Sequence, residues 1–305
     1  MLTVVTGSAG FIGRALVRAL ASRGEVIGID RLAQQATPGV TALSADLLAG
    51  DPRVRSALAR ADTVFHLAGC PDVRDPRRDA DEHRYRDNVL ATAAVLAAVP
   101  PASRLLVTSS SSVYGGTSPG RPSGESDPLR PRGGYARSKF LVEQLCTARE
   151  QAGGRITVVR PFTVAGEGQR PGMALALWIA AARDGRPLRL IGSPRRSRDI
   201  TDVRDVVRAL VDLAGTEAAG VVNVGSGVGR SLAELASVVS RVVGVEVHTE
   251  VVPAAGVEVR HTLADTRRLR RLVGWVPETD LDALLSRQLA AAGCSELPGE
   301  RHAVR

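Results

Sequence analysis

LTVVTGSAGFIGRALVRAL, residues 2–20, places three glycines, Gly7, Gly10 and Gly13, between a β-branched apolar run and a segment of helical pattern. Strand, glycine turn and helix in that order let the main chain approach a pyrophosphate, whose charge then sits at the helix N-terminus. The spacing is G-x-x-G-x-x-G rather than G-x-G-x-x-G. Its location on the first strand-to-helix turn is what gives it weight. Phe11 and Ile12 lie inside the same turn. The next strand-like run closes on Asp30, in "VIGIDR". A carboxylate there accepts from a ribose 2′-hydroxyl and repels a 2′-phosphate, which favours NAD over NADP, whereas the adjacent Arg31 can hold that phosphate. Asp46 and Leu47 follow the third run; they read as an adenine contact, or for Asp46 as a helix cap.

Working outward, strand-like runs fall at 2–6, 25–29, 40–44, 62–67, 104–108 and 156–160, with helical patterns near 11–23, 51–60, 79–98 and 134–152. Continuous apolar strands separated by helices predict an α/β protein whose parallel sheet is covered on both faces. After Arg160 the pattern changes. Gly and Pro crowd 166–172, and then come helix 173–184, strand 188–191, helix 203–214, strand 221–225, helix 231–243, strand 246–252 and helices 265–273 and 280–292. The expected organisation is a first domain over 1–165, to which 198–225 returns, a second formed by 166–197 and 226–293, and a polar tail at 294–305.

Composition narrows the function classes. A length of 305 residues with 44% hydrophobic and 24% charged residues is ordinary for a globular protein, and with only 3% aromatics Ala, Val and Leu must fill the core. The chain opens directly on a strand-like run, so no signal peptide is expected. The run "MALALWIAAA" is about half of what a membrane span needs. Three distant cysteines, Cys70, Cys146 and Cys294, suggest reduced thiols and a cytoplasmic setting rather than a disulfide frame or a metal site. The net charge of +8 is carried by arginines scattered among aspartates, and the densest cluster, "PRRSRD" at 194–199, lacks interleaved aromatics; no nucleic-acid partner is expected.

Among 40 cationic residues there is one lysine, Lys139, in "YARSK". Tyr135 lies four residues before it, so on a helix both project from one face. A phenol ionises near pH 10, and work as a base near neutrality requires roughly 4 kcal/mol of added stabilisation of its anion. A compact ammonium close by can supply part of this and can also bind ribose hydroxyls. The planar guanidinium of arginine is directed differently.

These motifs, with "HLAG" at 66–69, "NVLAT" at 88–92, "SSSSVYG", "RPFTVAG", "SRDITDVRDVV", "VNVGSG" and "RHTLAD", resemble the extended short-chain dehydrogenase/reductases of the nucleotide-sugar epimerase and dehydratase family over nearly the whole chain. The resemblance implies a Rossmann-type doubly wound parallel sheet binding NAD, a smaller C-terminal α/β substrate domain, and a catalytic set of Ser110, Tyr135 and Lys139. It adds Leu67, Ala68, Gly69, Asn88 and Pro161 to the cofactor-binding residues. It assigns the diphosphate to Arg198 and Arg260, places Arg74 near the substrate, and leaves His66 and His261 structural. It also implies a homodimer through helices 79–98 and 134–152.

The reaction and the sugar follow from departures within that resemblance. Family dehydratases carry Asp-Glu, and UDP-glucuronate decarboxylases a Glu, where this chain has Ser111-Ser112. Without those acids the expected chemistry is hydride transfer alone: oxidation at C4, rotation of the keto sugar and re-reduction, which is 4-epimerisation. Thr163, followed seven residues later by Arg170, resembles UDP-glucuronic acid 4-epimerases, and implies that the two bind the C6 carboxylate with help from Ser111 and Ser112. UDP-glucose or an N-acetylated UDP-sugar is the alternative substrate, then a decarboxylase or 4-ketoreductase. The intact Ser110, Tyr135 and Lys139 argue against a silent NAD-binding regulator. The UDP moiety is itself part of the resemblance, with dTDP left open.

Overall fold

The structure, a computed structural model, describes residues 1–71, 77–254, 256 and 258–294. Seven parallel strands form the main sheet: β1 (Leu2–Thr6), β2 (Glu25–Asp30), β3 (Val40–Ser44), β4 (Thr63–His66), β5 (Arg104–Thr108), β6 (Ile156–Pro161) and β10 (Gly220–Val224). Their order, β10-β6-β5-β4-β1-β2-β3, is Rossmann-type and doubly wound. β7 (Thr163–Ala165), β8 (Leu188–Ile191), β9 (Ser197–Asp202), β11 (Gly229–Ser231) and β12 (Thr249–Val252) make two small sheets, β11-β9-β7 and β12-β8. The helices are α1 (Phe11–Leu20), α2 (Pro52–Arg60), α3 (Ala80–Arg84), α4 (Ala91–Ala98), α5 (Gly133–Gln151), α6 (Ala174–Arg183), α7 (Val203–Ala214), α8 (Leu232–Val243), α9 (Arg267–Val273) and α10 (Leu281–Cys294).

Successive side chains of a strand point to opposite faces. Val4 accordingly joins a core with Leu58, Val95, Val142 and Ile156, while Val5 joins another with Leu16, Val206, Leu210 and Val222. Because helices cover both faces, the strands read as unbroken apolar runs. A third core, built by Leu175, Trp178, Leu235, Val239, Leu284 and Leu285, unites α6, α8 and α10. The strand order reverses between β1 and β4, which opens a crevice at the carboxyl ends of these strands.

The structure departs from expectation in three places. The helix expected over 79–98 is α3 and α4 joined by a π-turn, Tyr85–Leu90. The strands β7, β9 and β11 lack an apolar pattern. β9 is fixed instead by the fully buried Asp199, whose carboxylate accepts from the Ser226, Gly227 and Ala264 amides. Finally, 226–293 does not lie wholly with the second unit. Leu269 of α9, with Leu272, Val273 and Trp275, packs into the core of α1 and α7, because this apolar face meets α7 and β10. No helix among the described residues is long and apolar enough to cross a membrane.

His66, at the end of β4, is buried between Thr6 and Thr92. The Thr92 hydroxyl donates to the Asn88 carbonyl, so it accepts from Nε2–H, and the Thr6 hydroxyl donates to Nδ1. Burial, with the Lys139 charge adding to it, pushes His66 down to about 3. Between that value and the ordinary 6.5 the unfolded chain holds a proton that the folded chain does not. Stability therefore falls with falling pH across this window by about 1.4 kcal/mol per unit. Urea unfolding at pH 6.5 and 5 is expected to show the native protein losing ~2 kcal/mol more than His66→Gln; parallel losses would refute the assignment.

Candidate active site

The glycine turn sits at the crevice. Gly7 has φ 73°, and a side chain there would put Cβ 2.5 Å from the Ala68 amide nitrogen. Leu67 and Ala68 thus close directly on the turn. Gly13 has no room for a Cβ against the Gly7 carbonyl, and the Gly10 amide donates to that carbonyl at 3.0 Å. Gly10 is the N-cap of α1, where no side chain caps the helix and no acid occupies the first turn. With Phe11 and Ile12 opening the helix, its leading amides face the crevice and fit a dinucleotide pyrophosphate.

At the far side of the turn, Asp30 accepts from the Ala9 and Leu32 amides, both at 2.9 Å. Arg31 forms a bidentate pair with Asp87, at 2.8 and 3.1 Å. Asp46 accepts from the Leu48 amide and from Arg86, whose guanidinium holds its carboxyl below the usual range. It caps no helix; Asp51 caps α2. Leu47 packs against the α2 and α4 core. This end of the crevice therefore carries three carboxylates, Asp30, Asp46 and Asp87, and two guanidiniums, Arg31 and Arg86.

At the other end, α5 carries Tyr135, Lys139 and Glu143 at four-residue spacing, on one face. Ser110 caps the start of a 3-10 turn, Ser111–Tyr114, its Oγ accepting from the Ser112 amide. Burial pushes the Tyr135 phenol up, while the Ser110 hydroxyl and the charge of Arg170 act downward. Lys139 is 7% exposed and its Nζ donates to the Thr108 carbonyl at 2.9 Å, close to Gly69. The Lys139 ammonium is thus anchored on the end of β5, one helical turn from Tyr135. Asn88 is buried; it accepts from the Cys70 amide and donates to the Cys70 carbonyl and Ser138 Oγ, which braces the 67–70 segment from behind. Pro161 ends β6 nearby, buried.

A buried network underlies this end. Glu143 accepts from Ser109 Oγ at 2.5 Å and from Arg160 Nε and Nη2 at 2.8 and 2.6 Å. Arg160 Nη1 donates to the Tyr114 hydroxyl, which donates to Asn223. Burial pushes Tyr114 up to about 12, so this second phenol stays neutral.

Toward the second unit, Thr163 opens β7, and Arg170 follows in the loop after it. Ser112 Oγ is buried with no hydrogen-bond partner among the described residues. Arg198 donates to the Ser197, Val259 and Arg260 carbonyls and lies 3.7 Å from Glu258, and Arg260 is exposed beside it. Sequence reasoning missed Arg196. With Arg198 and Arg260 it surrounds His261, whose pKa burial and these three charges lower. The "PRRSRD" cluster was its signal. Arg74 lies outside the described residues.

A family model described as "NAD dependent epimerase/dehydratase family" matches residues 3–225. The UDP-glucose 4-epimerase of Mycolicibacterium smegmatis is 32% identical over 300 residues, covering 92% of this chain and 95% of its own. MoeE5 in complex with UDP-glucuronic acid and NAD superposes with a TM-score of 0.88 at 34% identity, covering 97% of this chain and 100% of that one. The same protein is known in complex with UDP-glucose and NAD. The UDP-glucuronic acid 4-epimerase of Bacillus cereus, in complex with UDP-glucuronic acid and NAD, gives a TM-score of 0.88 at 26% identity, covering 97% and 100%.

Burial pushes Lys139 down from 10.5 to about 8. Below that window the burial penalty is fully present. Within it the unfolded chain binds the proton that the folded chain has shed, so stability rises with pH. Lys139→Met is expected to lose this rise. Denaturant unfolding at pH 8 and 9.5 should show the native protein gaining ~2 kcal/mol relative to the variant. Equal changes would mean that the ammonium is solvated.

Proposed function

This chain belongs to the NAD-dependent epimerase/dehydratase family, and from that membership we propose that it interconverts UDP-glucuronic acid and UDP-galacturonic acid by inverting C4. It is an enzyme, a UDP-sugar 4-epimerase of the isomerase class, and its cofactor is NAD. NAD, held by the Gly7–Gly13 turn and Asp30, would supply the acceptor and then the donor of the C4 hydride. The protein's own part is to move one proton and to hold the sugar. Tyr135, as the phenolate, receives the C4 hydroxyl proton when the ketone forms and returns it when the keto sugar, having presented its other face, is reduced; because burial favours the neutral phenol, the ionised form depends on positive charge supplied beside it. Ser110 holds the C4 oxygen and the phenol together through its hydroxyl. Lys139, anchored on Thr108, stands behind Tyr135 at the ribose side of the crevice. Ser111 and Ser112 offer hydroxyls and no carboxylate, so neither elimination nor decarboxylation has an acid to drive it. Arg198 and Arg260, joined by Arg196, hold the diphosphate.

The uronic acid reading is supported by Arg170, which follows Thr163 in the loop after β7 and whose charge acts downward on the Tyr135 phenol, and by the neighbours solved with UDP-glucuronic acid. A guanidinium on this side of the site suits a C6 carboxylate, with which it pairs in bidentate fashion. The 4-keto uronic acid is a β-keto acid, and a gripped carboxylate can be kept out of the alignment that releases CO2. UDP-glucose is the second reading, favoured by the Mycolicibacterium relative's name and by the UDP-glucose complex of MoeE5. The described structure also supports a proposed homodimer through α3–α4 and α5, which leave Tyr85, Leu90 and Leu141 exposed.

Truncating one partner of a desolvated charged pair costs roughly 2–5 kcal/mol, or about thirty- to several-thousand-fold. Arg170→Ala is therefore expected to lose most turnover of UDP-glucuronic acid and little of any turnover of UDP-glucose. Steady-state kinetics on both sugars, with NMR of the products, tests this. An equal loss on both would sink the uronic acid assignment and leave a neutral-sugar 4-epimerase.

A further inference from the structure

The π-turn at Tyr85–Leu90 buries three successive residues, Asp87, Asn88 and Val89. An α-helix turns 100° per residue, so consecutive side chains there diverge. The wider π-turn instead aims two neighbouring polar groups at the two ends of the cofactor crevice, and such turns recur at functional sites. Asn88 braces the 67–70 segment at one end. Asp87, at the other, accepts both terminal nitrogens of Arg31 and a third bond from Arg86 at 2.6 Å.

Arg31 directly follows Asp30 at the end of β2, where a guanidinium would hold a 2′-phosphate. It is half exposed and would be free to swing there if nothing held it. Asp87 holds it. Arg86, the second candidate, is divided between Asp87 and Asp46. Asp30, Asp46 and Asp87 outnumber the two guanidiniums, so a phosphate entering this cluster meets net negative charge with both cations already paired.

Resting on the assignment of NAD as cofactor, we propose that Asp87 is a specificity-determining residue. It excludes the 2′-phosphorylated dinucleotide by fixing Arg31 away from the ribose and by adding the third negative charge. Asp30 alone favours the hydroxyl; Asp87 disarms the arginine that would otherwise compensate.

The test is binding of NAD and NADP by calorimetry to the native protein, Asp87→Asn, Asp87→Asn/Arg31→Ala and Arg31→Ala. Asp87→Asn is expected to bind NADP at least tenfold more tightly than the native protein does, with NAD changed by less than threefold. The double variant is expected to lose that gain. An unchanged NADP-to-NAD ratio in Asp87→Asn, or a gain that survives loss of Arg31, overturns the proposal. Should Asp87→Asn fail to fold by circular dichroism, Arg31→Ala decides alone. It should leave the ratio within threefold, because Arg31 is already held off, whereas a fivefold or greater loss of NADP binding shows Arg31 at the phosphate and overturns the proposal. A native protein that binds neither dinucleotide overturns the cofactor assignment itself, which separates the two failures.

Discussion

The site depends on one buried ion pair, Glu143 with Arg160, whose side chains are 6% and 3% exposed. The face that α5 buries is half polar: Ala136, Val142 and Cys146 share it with Ser138, Lys139 and Glu143. Apolar burial alone would not register such a helix against the sheet. The pair does so because both groups have further partners, Ser109 and Tyr114 included. An apolar pair of the same volume would match or exceed it in stability, but losing one partner alone costs about 3–5 kcal/mol. What the pair confers is position. Ser109 is tied to Glu143 and precedes Ser110; Glu143 follows Lys139 by one turn. The serine turn, α5 and β6 therefore form one block, and the mutual placement of Ser110, Tyr135 and Lys139 is inherited from it.

A second buried carboxylate organises the opposite wall. Asp199 has no solvent exposure, and burial raises its pKa against four donated hydrogen bonds. It pins the turn after β10 and the segment that carries Arg260 to β9, which carries Arg198 and directly follows Arg196. Three arginines converge here because one aspartate draws three distant segments together. The two carboxylates thus divide the labour, with Glu143 fixing where bonds change and Asp199 fixing where the diphosphate charge is met.

Legibility in the sequence followed the range of the interactions. The glycine turn, and Tyr135 with Lys139, are local spacings on one strand–turn–helix or one helix face, and they were readable. The main-sheet strands were readable because burial on both faces leaves unbroken apolar runs. β9, "SRDITD", was not, since its strand character comes from donors 27 and 65 residues away in sequence. The Arg31–Asp87 pair, 56 residues apart, was equally hidden, so Arg31 read as an ambiguous cation. The anchor of Lys139 was hidden as well. Its partner, the Thr108 carbonyl, is main chain and leaves no trace in side-chain identity. The membership of α9 in the core of α1 and α7 was hidden too, because Leu269 and Leu272 give the same amphipathic pattern whichever core they enter.

The π-turn has a further consequence, in the length of the chain. A π-turn holds one residue more than α-helical geometry needs over the same span. Removing any residue between Tyr85 and Leu90 would restore a regular helix, shorten it by about 1.5 Å and rotate one end by about 100° against the other. Neither end is free to turn. Val95 and Leu96 lock α4 into the sheet core, and α3 lies against Gly134 at the start of α5, with Asp81 filling the space a Cβ would need. The extra residue is therefore kept by its flanks, whatever side chain occupies it. Substitution within this segment leaves the backbone phase in place, and deletion cannot. Through that phase, residue number itself becomes part of how the crevice is built.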